Sequence, residues 1–147
     1  MDPEASFGEY VAARHGFLVR VAYLLTGDRH AAEDLVQLAL VRVARHWERV
    51  IAGGDPDPYV RRVLYRQHVS QWRRRWRHVE LRPEPPVPAS GPPDPAGAVT
   101  TSLLVRQALA RLAPRQRAVL VLRYFEDLTE VATAEALGCS VSTLKGR

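Results

Sequence analysis

The residues with the most chemical potential in this chain are arginines. Between Tyr59 and Arg82 eight arginines stand against a single acid, Glu80. On a helix turning about 100° per residue, Arg62, Arg66, Arg73 and Arg77 share one narrow arc, with Tyr65, Val69, Trp72 and Trp76 beside it. Guanidinium groups take phosphates and flat rings take stacked bases, so this pairing suits an unpaired nucleic-acid strand. The plainer reading is a solvated arginine face, with Trp72 and Trp76 in a core or partner contact. Self-repulsion on this scale is relieved best by a polyanion, which favours the nucleic-acid reading.

A second constellation lies near the other end. Ala134, Gly138 and Leu144 have the spacing of a helix-turn-helix: a small residue for close approach, a glycine for the turn, and a leucine to lock the second helix. Ser140 suits the cap of that second helix, which would start at Val141. Spacing alone leaves duplex binding and a plain helical hairpin equally open.

Other chemistries find little support. His15, His30, His46, His68 and His78 have no metal-ligand spacing with carboxylates, so no metal or other cofactor is expected. The lone Cys139 excludes an internal disulfide and a cysteine cluster, and in the turn of the motif it packs more readily than it reacts. A redox-sensor protein built on Cys139 is thus the weakest alternative. Gly53-Gly54 reads as a turn, and Glu33-Asp34 as helix surface rather than an acid/base pair. No catalytic residues are expected, and the chain is not read as an enzyme.

The elements that must position these groups are helices. Phe7, Tyr10, Val11, Leu18, Ala22 and Leu25 mark one apolar face, and Ala32, Leu35, Val36, Ala39, Val43 and Trp47 another. Gly27 fits a helix end and Asp28 the cap of the next helix. Asp57-Pro58 reads as the cap and first residue of a third long helix over 58–78, with Val60, Val63 and Leu64 toward the core. From Arg82 to Ser102 the chain holds seven of its eleven prolines, a stretch that can neither continue a helix nor donate ladder hydrogen bonds. The fold class is therefore all-α: one small helical domain over 1–80, a Pro-rich linker over 81–101, and a second helical domain over 102–147.

The charge follows this division. The chain has 147 residues and a net charge of +5, yet residues 1–58 carry six arginines against nine acids. The basic surplus sits in 59–82. An acidic start and short apolar runs exclude a secretory signal and a membrane span, which makes a cytoplasmic location the default.

Three segments in order, Phe17–Asp28, Ala32–Gln37 and Pro58–Leu64, resemble an extracytoplasmic-function sigma factor, with most similarity to the actinobacterial SigE type. Leu112–Leu120 and Leu137–Lys145 resemble that family's second domain, and the linker lies where the family has one. The resemblance implies a sigma region 2-like bundle and a sigma region 4-like helix-turn-helix, with core RNA polymerase, promoter DNA and an anti-sigma factor as candidate partners. It implies that Asp34 and Gln37 contact the polymerase, while Leu35 and Val36 belong to the core. It implies that Arg61, Arg62, Tyr65, Arg66, Trp72, Arg73, Arg74 and Arg77 open and hold the minus-ten strand. Ser140, Ser142, Thr143, Lys145 and Arg147 would meet the minus-thirty-five duplex.

Two departures stand out. Leu64-Tyr65-Arg66 replaces a Leu-Val-Asn context whose Asn, in the family, helps hold an extruded base. Arg66 would stack on or bond a base edge, or contact phosphate alone. The stretch Val141–Arg147 allows about two helical turns, where family recognition helices run on. The alternative to a polymerase subunit is a stand-alone helix-turn-helix regulator that binds duplex DNA without polymerase.

Overall fold

The structure, a computed structural model, describes residues 2–79 and 97–145, with side chains described for 2–74 and 103–144. The described residues form helices joined by turns, with no strand among them. In order they are α1 (Pro3–Thr26), α2 (Arg29–Arg45), α3 (Trp47–Ala52), α4 (Asp57–Val79), α5 (Gly97–Ala110), α6 (Pro114–Leu120), a π-helical turn (Val121–Phe125), α7 (Glu130–Leu137) and α8 (Val141–Lys145).

α1 starts where Asp2 accepts a bond from the Glu4 N–H and Pro3 opens the first turn. It ends at Gly27, whose φ of 74° is the left-handed conformation that closes a helix, and whose N–H reaches the Tyr23 carbonyl. Asp28 then caps α2 through the Ala31 N–H, as expected. The apolar stripes also fall as expected. Leu18, Ala22 and Leu25 of α1 meet Ala32, Leu35, Val36, Ala39 and Val43 of α2 in a buried core completed by Val60 and Leu64 of α4. Each fully buried Leu or Val of this kind contributes about 1.5–3 kcal/mol.

Two local expectations are corrected. The second stripe is not one helix: the backbone leaves helical geometry at His46, and Trp47 opens the separate α3. Trp47 still reaches the core, edge-on to Phe7 at 5.2 Å, with its indole N–H donating to Ser6 Oγ. Asp57 is not the cap of α4 but its first helical residue. The Asp55 carboxylate takes the Asp57 N–H, leaving the Asp57 side chain to accept from Tyr10 and to pair with Arg14.

α5 opens at Gly97, inside the linker boundary read from proline density, because the last proline of that stretch is Pro95. The proline-rich stretch before it lies outside the described residues. Ala118, Val121, Leu122 and Ala136 from the second half belong to the same core cluster as Leu18, Val21 and Tyr65. The two helical units are in contact, and that contact decides what α4 presents.

Candidate nucleic-acid interface

α4 carries the arginine row, and its environment changes along its length. Near its start Arg61 and Tyr65 point to one carboxylate. Arg61 Nε lies 3.0 Å from Glu126 Oε1, and the Tyr65 hydroxyl donates to Glu126 Oε2 at 2.6 Å. The Glu126 side chain is 5% exposed, so this is a charge pair withdrawn from water. Burial first, then the neighbouring carboxylate, drive the Tyr65 hydroxyl far above the usual phenol range. Tyr65 is therefore a neutral donor in the core, not a ring on an open face.

At the residues next to these the contacts are more exposed. Arg62 Nη1 sits 3.7 Å from Glu135 Oε1 and its guanidinium stands over the Tyr59 ring. Arg66 Nη2 donates to the Glu135 carbonyl at 3.2 Å, at the C-terminal end of α7, where the helix dipole favours a cation. Arg73 and Arg74 are exposed. Trp72 is half-buried in a cavity of about 500 Å³ that also has walls from His68, Gln71, Arg111 and Arg117. The side chains of Arg77 and Trp76 lie outside those described. Arg62 and Arg66 thus turn to the same residue of α7, whereas Tyr65 and Trp72 do not form an open stacking surface beside them.

The helix-turn-helix is built as its spacing implied. Thr129 caps α7 through the Ala132 N–H, Gly138 makes the turn at φ 70°, and Ser140 caps α8 through the Thr143 N–H at 3.2 Å. Ala134 is buried beneath the turn. Ser140, Ser142 and Thr143 are exposed, their hydroxyls bonded to one another through Ser140. The Lys145 side chain and Arg147 lie outside the described residues. Cys139 is a free, partly buried thiol whose N–H closes the turn on the Ala134 carbonyl.

On α2, Asp34 and Gln37 are exposed while Leu35 and Val36 are buried. Beside them Leu38 and Val41 stay 44% and 51% exposed, an apolar strip that the stripe reading did not register. Their i,i+4 relation to Asp34 and Gln37 was the available signal. Sequence reasoning also missed Glu126, Glu135 and Arg117. Arg117 is buried and donates to the Leu24 carbonyl, clamping the end of α1, and burial together with Arg106 lowers its pKa.

Residues 10–78 match the family Sigma-70 region 2, and residues 102–147 match Sigma-70, region 4. The RNA polymerase sigma-E factor of Streptomyces coelicolor is 37% identical over 139 residues, covering 95% of this chain and 77% of that protein. The chain belongs to the extracytoplasmic-function sigma factor family. The ECF RNA polymerase sigma factor SigL of Mycobacterium tuberculosis is 34% identical to this sigma factor, covering 88% of it and 75% of the relative. Among solved structures, the sigma factor RpoE in complex with the anti-sigma factor NepR from Bartonella quintana has a TM-score of 0.78 at 22% identity, covering 96% of this chain and 88% of that one. That likeness shows the fold, two helical sigma regions in chain order. The region 2 match spans the arginine row of α4, and the region 4 match spans the helix-turn-helix. No helix among the described residues of the sigma factor is long and apolar enough to cross a membrane.

Proposed function

We propose that this sigma factor is a dissociable subunit of bacterial RNA polymerase that recognises promoters and opens them. The observation that carries the reading is the α4 arginine row inside the region 2 match, in a chain where residues 59–82 hold eight arginines against one acid. In this reading residues 1–80 bind the polymerase and open the minus-ten element, 81–101 tether, and 102–147 read the minus-thirty-five duplex. Asp34 and Gln37 supply the polymerase contact on α2. Arg61, Arg62, Arg66, Arg73, Arg74 and Arg77 hold the unpaired strand through phosphates. Ser142, Thr143, Lys145 and Arg147 face the duplex, with Ser140 positioning α8 as its cap. RNA synthesis itself belongs to the polymerase, so the sigma factor carries no enzymatic step and works in the cytoplasm. An anti-sigma factor is a further partner, since the structural neighbour RpoE was solved with one.

The test is transcription from promoter fragments by purified core polymerase, with and without the chain. Initiation that depends on added sigma factor supports the reading. Failure to bind core or to direct initiation refutes it.

A further inference from the structure

The cavity of about 500 Å³ beside Trp72 lies between the C-terminal end of α1, the middle of α4 and the turn that joins α5 to α6. Sites that take small organic ligands span roughly 300–1,000 Å³. Its charge is one-sided: Arg111, Arg117 and His68 line it, and no Asp or Glu stands among its described walls. The apolar part of the wall comes from Trp72, Leu25, Leu112 and Pro114.

Arg117 shows what this wall lacks. It is 8% exposed, and a charge drawn that far from water is ordinarily paired. Among the described residues no carboxylate pairs with it. Its Nε donates to the Leu24 carbonyl and its Nη atoms lie against Gly27, both at the end of α1. A helix C-terminus supplies about half a negative charge, less than one guanidinium carries. Arg111 adds a second cation to the same wall, and Arg106 stands nearby over the Tyr23 ring at 4.9 Å. Burial first, and then Arg106, lower the Arg117 pKa, the mark of a cation without a matching anion.

We infer that this cavity is a binding site for a free nucleotide, a nucleoside di- or triphosphate, with its base on the apolar wall at Trp72 and its phosphates on Arg111 and Arg117. Guanidinium groups bind phosphate oxygens by charge-assisted hydrogen bonds, and an indole ring gives a base an apolar face to lie against. Inorganic phosphate would answer the charge and leave the apolar wall bare. An uncharged aromatic molecule would cover that wall and leave Arg117 unpaired. A nucleotide does both, and the Gln71 amide offers a donor and an acceptor for the edge of its base. Arg111 and Arg117 lie outside the α4 row, so the site is independent of how α4 meets DNA.

The test is titration of the full chain with ATP, read by calorimetry and by tryptophan emission. ATP should bind saturably and quench emission, and Trp72→Phe should remove most of the quenching. Arg111 is exposed, so Arg111→Ala should melt at the temperature of the parent, and it should bind ATP about tenfold more weakly for the loss of one charge-assisted contact. Affinity should fall from ATP to AMP to adenosine, and inorganic pyrophosphate should bind less tightly than ATP. Absence of saturable binding at millimolar ATP overturns the site. Equal ATP affinity in parent and Arg111→Ala overturns its location. Pyrophosphate that binds as tightly as ATP overturns the nucleotide assignment. A labelled single-stranded DNA oligonucleotide that loses as much affinity as ATP does in Arg111→Ala makes a strand the occupant and overturns the free nucleotide. Transcription with core polymerase tests the sigma-factor reading separately, and its failure leaves the ATP result standing.

Discussion

The guanidinium of Arg66 lies against Gly138, its Nη2 3.2 Å from where a β-carbon on that glycine would stand, while it donates to the carbonyl of Glu135. A residue of α4 is thus seated on the turn of the helix-turn-helix. The Arg66 tip is flexible and can move aside, so the larger demand on position 138 comes from its φ of 70°. Gly138→Ala should cost about 1–2 kcal/mol through the backbone, and Gly138→Asn less, because Asn tolerates the left-handed region. Urea unfolding of both variants checks the order. An alanine variant as stable as the parent would show that the turn does not depend on this conformation.

Thr133 is fully buried in α7 and its Oγ1 has no hydrogen-bond partner. A buried hydroxyl without a partner carries its desolvation cost uncompensated. Thr133→Val keeps the shape and removes the polar atom, so stability should rise by about 1 kcal/mol. Thermal or urea unfolding reads the change, and a loss of stability would contradict the assignment.

Tyr65 sets an alkaline limit. In the folded protein burial and Glu126 hold its proton well above the usual range, whereas the unfolded chain releases it near pH 10. Stability linked to Tyr65 is therefore complete below about pH 10 and falls as pH rises further, by about 1.4 kcal/mol per pH unit. Tyr65→Phe should start less stable, having lost the bond to Glu126, and should show a shallower decline between pH 10 and 11. Parallel slopes in denaturant titrations would contradict this.

Arg73 is exposed, so its replacement tests phosphate contact without disturbing the core. Arg73→Ala should weaken binding of a single strand and lower the slope of log affinity against log salt by about 0.7. A slope equal to that of the parent would mean that this arginine faces only water.

Asp34 and Gln37 offer a test on the opposite surface. Both are exposed, so Asp34→Ala and Gln37→Ala should change stability by less than about 0.5 kcal/mol. Affinity for core polymerase, measured by competition, should nevertheless fall several-fold. An unchanged affinity would move the polymerase contact elsewhere on region 2.

Much of the framework was legible because it is local. The period of Leu18, Ala22 and Leu25, the stop at Gly27 and the cap at Asp28 depend on residues within a turn or two of one another, and the structure follows them. The same holds for Gly138 and Ser140 around the helix-turn-helix. The break at His46 escaped notice because Trp47 keeps an apolar place in the core on either side of it. The cap assigned to Asp57 failed for a different reason. Tyr10, forty-seven positions away, claims its carboxylate.

The sequence by itself determined that residues 59–82 are basic, since eight arginines against one acid settle the charge of a segment whatever surrounds it. It also determined the helical class and the helix-turn-helix, because caps and periodicity act within an element. Only the tertiary structure decided that the basic face is partly covered. Tyr65 and Glu126 are sixty-one positions apart, and no pattern within either segment shows that they meet. Their meeting depends on a π-turn and a left-handed Asp127 that aim one carboxylate at one helix, and on an apolar contact that draws the two units together.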